Sequence, residues 1–295
     1  MKAITTDFEY LAATTVEEAL DMLSQHKDDE YRILAGGQSL NTAMKHRLIA
    51  PAFIIDIKNI SELNYITFDE KQGLKIGAAA THRSLEKSPV VREKFPVLCE
   101  MEENVASVET RNWGTVAGDL CNADPAVDPG PPLIALDAKI KIASKGEERK
   151  VDAEAFAVDF FETVVQPGEM VTEIEIPPLP PDSGAYFTKY SQIHGDYALA
   201  SAAVLITLDS KKEKCMNARI GLGGVGTAPI RAIKAEEVLK GKKITDAVLA
   251  EAARVASEET SPISGIEASA EYKKELAGTL VKRVGKEALA RARKA

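Results

Sequence analysis

The chain has 295 residues, of which 45% are hydrophobic and 28% are charged, and its formal net charge is −8. This length and composition are typical of a soluble globular protein with two domains. The acidic balance argues against general nucleic-acid binding, because that function requires a basic face. The longest apolar run, at 198–208, is too short to cross a bilayer, so no membrane insertion is expected.

The cysteines and histidines give no sign of a metal or cluster site. They are scattered, without the spacing of zinc or iron–sulfur ligands, at Cys99, Cys121, Cys215, His26, His46, His82 and His194. The isolated thiols and the lack of a charged-then-apolar leader predict a cytoplasmic location. The sequence assigns no metal ligand and no catalytic residue to this chain.

The first elements in chain order are short. Thr15-Val16-Glu17-Glu18 forms a capping-box pattern at the start of a helix, and residues 31–34 then read as a strand. Further strands are predicted at 53–57, 65–68 and 74–77, and helices are predicted around Leu85 and at 95–105. This succession predicts an α+β domain rather than a regular βαβ series.

The strand at 31–34 leads into a pair of glycines. The stretch reads Ile33-Leu34-Ala35-Gly36-Gly37-Gln38-Ser39-Leu40. Glycine permits a positive φ and lets a ligand approach the backbone closely. Successive amides in such a turn can hold an anion, typically a phosphate, although an ordinary tight turn is the alternative interpretation.

A second stretch of glycines and small residues lies much further along the chain. It reads Arg111-Asn112-Trp113-Gly114-Thr115-Val116-Ala117-Gly118-Asp119-Leu120 and predicts another bend. Two such turns so far apart suit an extended ligand with a diphosphate in its middle, which favours a nucleotide-type cofactor. Asp124 and Asp128 follow in a proline-punctuated loop. Acid–base chemistry is one interpretation of this pair, but capping of a helix at 133–136 or binding of ribose hydroxyls is favoured.

The second half begins after an alternating strand at 171–176. Pro177-Pro178-Leu179-Pro180-Pro181 stiffens the chain there, and it predicts a division into domains at 1–177 and 178–295. Three long strands are then predicted at 185–190, 197–208 and 216–222. Amphipathic helices follow at 232–239, 244–257 and 271–291, with Gly241 as a helix C-cap.

Together these motifs resemble the FAD-binding medium subunit of the molybdenum hydroxylases, the family of xanthine dehydrogenase and aerobic carbon monoxide dehydrogenase. The resemblance rests on Ala35-Gly36-Gly37-Gln38-Ser39, Arg111-Asn112-x-Gly114-Thr115-x-x-Gly118 and Ala123-Asp124-Pro125-x-x-Asp128, and it extends through 189–202 and 223–232. It implies an α+β fold. A two-part FAD-binding domain of the vanillyl-alcohol oxidase (PCMH) type would precede a C-terminal domain with a three-stranded antiparallel sheet and a helical bundle.

The resemblance also implies a set of site residues. The FAD diphosphate would be held, largely by backbone amides, at Ile33, Leu34, Ala35, Gly36, Gly37, Gln38, Ser39 and Leu40 and at Thr115, Val116, Ala117, Gly118 and Asp119. Asp124 and Asp128 would meet polar groups near the ribityl and flavin region. Val171 and Lys189 would touch the flavin end, and Tyr197 would lie beside the ring system.

Two positions depart from the family's common pattern, T-x-G-G-N. Ala117 stands where the pattern has a glycine, and its methyl group is tolerable if φ is negative there. Asp119 stands where the pattern has an asparagine. Because a carboxylate repels a diphosphate, we expect the Asp119 side chain to turn away or to pair with a cation.

In this family the chain would be one subunit of an oxidoreductase complex. It would take electrons from the 2Fe–2S clusters of a small subunit and pass them to an external acceptor. A large subunit with the molybdopterin cofactor would oxidise the substrate, and the complex would be a dimer of heterotrimers. The alternatives are a stand-alone reductase on the same FAD domain and a scaffold that has lost its cofactor. A Rossmann dehydrogenase is disfavoured, since no G-x-G-x-x-G motif is present.

Overall fold

The computed structural model describes residues 7–295 as a mixed α and β fold. Its helices are α1 (Val16–Gln25), α2 (Leu40–Lys45), α3 (His82–Lys87), α4 (Pro89–Lys94), α5 (Pro96–Glu102), α6 (Val108–Trp113), α7 (Val116–Asn122), α8 (Gly130–Ala135), α9 (Ile233–Leu239), α10 (Asp246–Glu258) and α11 (Ala270–Ala292). Its strands are β1 (Glu9–Ala12), β2 (Tyr31–Leu34), β3 (Phe53–Asp56), β4 (Ile66–Asp69), β5 (Gly73–Gly77), β6 (Lys139–Ser144), β7 (Glu147–Asp152), β8 (Ala157–Asp159), β9 (Glu162–Thr163), β10 (Met170–Ile176), β11 (Ser183–Tyr190), β12 (Ala200–Leu208), β13 (Cys215–Gly223) and β14 (Ile230–Arg231). Short 3-10 turns lie at Ser61–Leu63 and Ala153–Ala155.

A small parallel sheet, in the order β1-β3-β2, opens the fold. The crossover from β1 to β2 is α1, which begins as predicted, with the Thr15 hydroxyl accepting a hydrogen bond from the Glu18 amide. Ala19 and Leu23 on this helix are buried. Because the carboxyl ends of parallel strands share one edge, β2 delivers the chain into Gly36 and Gly37 at that edge.

A five-stranded antiparallel sheet follows, in the order β4-β5-β10-β6-β7. Its central strand, β10, is buried along nearly its whole length. The alternating sequence of β10 therefore has polar side chains on a covered face, where Glu173 accepts a hydrogen bond from the Tyr65 hydroxyl at 2.5 Å. A hydrogen bond of this kind offsets part of the cost of burying a carboxylate.

The C-terminal sheet has the order β11-β12-β13-β14. The three long strands are confirmed, and the two-residue strand β14 adds a fourth at one edge. All nine residues of β12 are buried. Val204 and Ile206 belong to a core with α9–α11, whereas Ala203 and Leu205 belong to the core of the first half of the chain. An uninterrupted apolar strand is the pattern expected when both faces are covered.

A charged contact joins the end of the chain to its first half. The Arg291 guanidinium, on α11, pairs with both carboxylate oxygens of Glu100, on α5, at 2.6 and 3.1 Å. It also donates a hydrogen bond to the Ala185 carbonyl at 3.1 Å. This planar, two-pronged pairing holds α11 against both α5 and β11.

Several predicted elements need correction. The helix predicted at 95–105 ends at Glu102. It follows a separate helix, α4, and each of the two helices begins with a proline, a residue favoured at the first position of a helix. The single bend predicted at 111–120 is wrong, since α6 and α7 occupy most of it. Strand β1 was not predicted. Within the described residues 7–295, no helix combines the length and apolar character needed to cross a bilayer.

Candidate functional site

The two glycine-rich stretches contact each other in the folded chain. A Cβ atom at Gly36 would lie 2.0 Å from the carbonyl oxygen of Trp113 and 2.6 Å from the Cα atom of Gly114. Both neighbours are backbone atoms, so any side chain at position 36 would force the two stretches apart. The amide of His82 donates to the Gly114 carbonyl at 3.0 Å, which fixes the second stretch against the start of α3.

The first stretch carries a run of unpaired backbone amides. The amides of Gly36, Gly37, Gln38 and Ser39 donate to no backbone carbonyl of residues 7–295. Gly37 has a φ of +72°, a left-handed conformation that favours glycine. Buried or half-buried amides normally have an acceptor, and a consecutive set without one is suited to an anion.

The second stretch forms α6 and α7, joined at Gly114 and Thr115. The Thr115 hydroxyl caps α7 by accepting the Gly118 amide at 3.0 Å. Since the Gly118 amide is used inside the protein, the amides of Thr115 and Ala117 are the ones here without a backbone acceptor in the described chain. Ala117 is helical and has no positive φ, so its methyl group is tolerated at this position.

Residues of both stretches line a cleft of about 680 Å³. This volume lies within the usual range for cofactor and small-molecule sites, about 300–1,000 Å³. The predicted site residues that line it are Ile33, Ala35, Gly36, Gly37, Gln38, Ser39, Leu40, Thr115, Ala117, Gly118, Asp119, Asp128, Val171 and Tyr197. The predicted residues that do not line it are Leu34, Val116, Asp124 and Lys189.

Other residues that line the cleft are apolar and were not predicted. They include Leu48, Ile49, Ile57, Phe161 and Met170. These residues come from loops and strand ends that share no motif or period, so the sequence carried no signal that would group them. A cleft lined by apolar residues and by residues with unpaired amides is suited to a ligand with flat ring systems and an anionic centre.

The C-terminal half contributes the loop before β12 to the lining of the cleft. Gly195, Asp196 and Tyr197 line the cleft from this loop. Tyr197 is not in a strand as predicted, and it is 58% exposed. A Cβ atom at Gly195 would lie 2.7 Å from the carbonyl oxygen of Ala106, so the loop packs closely on the first half of the chain.

Asp128 and Lys189 form a buried ion pair at the edge of the cleft. The Lys189 ammonium lies 2.7 Å from Asp128 Oδ2, and both side chains are buried. Burial raises the pKa of Asp128 to about 7, although the positive charge of Lys189 opposes this shift. The predicted capping role for the aspartates is wrong, because α8 begins at Gly130 and its N-cap residue is Pro129, with no side-chain cap. The Asp124 carboxylate instead accepts the Ala126 amide at 2.9 Å.

A histidine that the sequence left unassigned lies under the second stretch. His82 is buried, its Nδ1 atom is 2.8 Å from Glu102 Oε2, and its Nε2 atom is 3.9 Å from Asp119 Oδ2. Burial disfavours the charged imidazole. The attraction and hydrogen bond from Glu102, with the charges of Asp119 and Asp128, outweigh it and raise the pKa of His82 to about 9. Protonated His82 is therefore a cation next to Asp119, as expected for a carboxylate at this position of the glycine-rich stretch.

This shift predicts a pH dependence of stability. The pKa of His82 is raised from 6.5 in the unfolded chain to about 9, so its contribution is fully present below pH 6.5 and is lost as the pH rises through 9. We expect the free energy of unfolding to fall by roughly 3 kcal/mol over this interval. Urea unfolding of the parent and of His82→Gln, across about pH 6 to 10, would measure it. Equal pH dependence in the two proteins would contradict the assignment.

Comparison with known proteins covers both halves of the chain. The family described as FAD binding domain in molybdopterin dehydrogenase matches residues 6–179, and the family described as CO dehydrogenase flavoprotein C-terminal domain matches residues 185–288. Subunit alpha of the 6-hydroxypseudooxynicotine dehydrogenase complex of Paenarthrobacter nicotinovorans is 36% identical, over 97% of this chain and 96% of that subunit. The carbon monoxide dehydrogenase medium chain of Afipia carboxidovorans is 33% identical, over 97% and 98% of the two chains.

A solved structure agrees with these sequence relationships. It is a carbon monoxide dehydrogenase from Hydrogenophaga pseudoflava that lacks the Mo-pyranopterin moiety of its molybdenum cofactor. The TM-score is 0.92 at 33% identity, and the match covers 96% of this chain and 98% of the other. The expected fold class is thereby confirmed. The chain belongs to the FAD-binding medium subunits of the molybdenum hydroxylases and is an oxidoreductase flavoprotein component.

Proposed function

We propose that this chain is the electron-transfer subunit of a molybdenum hydroxylase complex. It takes electrons from the 2Fe–2S clusters of a small subunit and passes them to an external acceptor, while a large molybdopterin subunit oxidises the substrate. The observation that carries the proposal is a run of four amides without a backbone acceptor in the described chain, in residues that line a largely apolar cleft: Gly36, Gly37, Gln38 and Ser39. The proposed domains are 1–177, which binds FAD, and 178–295.

In this proposal the residues of the cleft hold and orient the cofactor. The first glycine-rich stretch and the start of α7 bind the diphosphate through their amides, and the apolar residues of the cleft cover the ring systems. Asp128 meets polar groups of the cofactor near its ribityl and flavin region. Lys189 acts on the cofactor only through its ion pair with Asp128. When bound, FAD supplies the redox chemistry, and the protein supplies its position and excludes water.

The relatives indicate which subunit selects the substrate. Chains of similar identity belong to a 6-hydroxypseudooxynicotine dehydrogenase complex and to a carbon monoxide dehydrogenase. One type of flavoprotein subunit therefore accompanies chemically different substrates. We infer that the substrate is selected by the large subunit, and that the assembly is a cytoplasmic dimer of heterotrimers.

We expect FAD to be bound non-covalently. Cys121 lines the cleft, and desolvation raises the pKa of its thiol, which disfavours the nucleophilic thiolate. Acid precipitation of the yellow purified protein should leave all flavin in the supernatant. Flavin retained in the washed pellet would refute this expectation, and a colourless protein would support a scaffold without cofactor.

The complex itself is tested by isolating the endogenous protein. Native mass spectrometry should show two further chains, one with iron–sulfur clusters and one with molybdopterin. Permanent interfaces of this kind usually bury more than about 2,000 Å². A monomer that binds FAD and turns over an organic substrate unaided would instead favour the stand-alone reductase.

A further inference from the structure

His82 occupies a position between two carboxylates of different exposure. Glu102 lies on one side, fully buried on α5, and its second oxygen, Oε1, has no hydrogen-bond partner within the described residues. Asp119 lies on the other side, on α7, and lines the cleft. A Cβ atom at Gly114 would lie 3.2 Å from the His82 ring, so the imidazole packs directly under the second glycine-rich stretch.

The charges around this histidine are mostly negative. Those that act on it come from Glu102 on α5, Asp119 on α7 and Asp128 in the loop after α7. Arg111 on α6 acts on Glu102, and Lys189 on β11 is already paired with Asp128. Burial raises the pKa of Asp119, and the charges of His82, 3.9 Å away, and of Lys189 oppose that shift. Without the positive charge of His82, an ionised Asp119 would keep only the attraction of Lys189, which is already paired with Asp128.

We propose that His82 is a positioning residue for the cofactor: held by Glu102, it compensates the charge of Asp119 so that the cleft accepts a diphosphate. This inference rests on the proposed function. A carboxylate next to a bound diphosphate repels it, and the repulsion is strong in a desolvated site. Glu102 has a supporting role, because its hydrogen bond to Nδ1 fixes the ring and favours the protonated form.

The test is a double-mutant cycle read by FAD titration of deflavinated protein. At about pH 7, His82→Gln should weaken FAD binding by about tenfold or more, because the Asp119 charge is no longer compensated. In the Asp119→Asn background the same His82→Gln change should alter binding by less than about twofold. His26→Gln is the matched control, since His26 also lies 2.9 Å from a carboxylate, that of Asp29, but is not a cleft residue.

The pH dependence of FAD binding is a second test, because it would not change if His82 only supported the fold. The advantage of the parent over His82→Gln should disappear by about pH 10, where His82 loses its proton. If His82→Gln does not fold, the parent and Asp119→Asn are compared, and FAD binding by the parent should weaken more steeply above about pH 9.

The outcomes separate the inference from the proposed function. A parent protein that does not bind FAD contradicts the proposed function. A parent that binds FAD, with a folded His82→Gln variant that binds equally well, overturns the inference alone. So does a His82→Gln effect of the same size in the Asp119→Asn background, because the loss would then be independent of charge compensation.

Discussion

Gly36→Ala should weaken FAD binding by about a hundredfold or more. The added Cβ atom would lie 2.0 Å from the Trp113 carbonyl oxygen and 2.6 Å from the Gly114 Cα atom, both of which belong to the backbone. The two stretches must separate to admit it, and the amides at the diphosphate then no longer converge. Charge-assisted hydrogen bonds contribute about 1.5–3 kcal/mol each, and 1.4 kcal/mol is about tenfold in the dissociation constant.

The control for this variant is Gly265→Ala. A Cβ atom at Gly265 would have no neighbour within 4 Å, and the residue has no positive φ, so the same chemical change there meets open space. FAD titration, with circular dichroism to confirm folding, distinguishes the two variants. If folded Gly36→Ala binds FAD like the parent, the contact between the stretches does not shape the cofactor site.

A comparison of Gly37→Val with Gly241→Val separates the effect of backbone strain from the effect on the cofactor site. Gly37 and Gly241 have φ values of +72° and +74°, but a Cβ atom at Gly37 would lie 2.6 Å from the Asn41 amide nitrogen, whereas Gly241 is surrounded by open space. Both valines cost roughly 1–2 kcal/mol in strain. Only Gly37→Val should also weaken FAD binding, whereas a matching loss in Gly241→Val would indicate a general effect of strain.

Lys189→Met should lower the free energy of unfolding by about 3–5 kcal/mol. The lysine is the ion-pair partner of Asp128, at 2.7 Å, and the second Asp128 oxygen already lacks a hydrogen bond within the described chain. Removing the ammonium leaves a buried carboxylate without compensation. The loss should be largest above about pH 7 and smaller in acid, where Asp128 is protonated. Urea unfolding at two pH values measures both effects.

Two further variants isolate the ion pair. Adding Asp128→Asn to Lys189→Met should recover much of the lost stability, because no buried charge then remains. Lys139→Met removes a lysine from an exposed pair with Asp152, where the expected loss is at most about 1 kcal/mol. Equal losses in Lys139→Met and Lys189→Met would show that burial of the pair does not matter.

The sequence predicts the fold well wherever a pattern is strong within one segment. The capping residue Thr15 marks the start of α1, and Gly241 has the predicted positive φ after α9. The apolar run of β12 is confirmed from Ala200 to Leu208, although the prediction began the strand at Tyr197. An element that forms because it pairs with a distant strand, rather than because of its own sequence pattern, was not predicted. Strand β1 is mostly exposed and only four residues long, so its pairing with β3 has no counterpart in its own sequence.

The candidate site shows the same division. Gly36 and Gly37 were identified from their sequence, but the reason for Gly36, its approach to Trp113, is a contact between distant segments. His82 lies between Glu102 and Asp119, which are separated from it by 20 and 37 positions along the chain. A lone histidine has no motif, so only the fold reveals its two carboxylate neighbours.

The pairing of Arg291 with Glu100 joins residues that are 191 positions apart. During synthesis, α5 therefore emerges well before α11 is available to pack against it. The cleft also needs Tyr197 and its loop from the second half. The proposed FAD site is therefore complete only after the segment that carries Tyr197 has been synthesised.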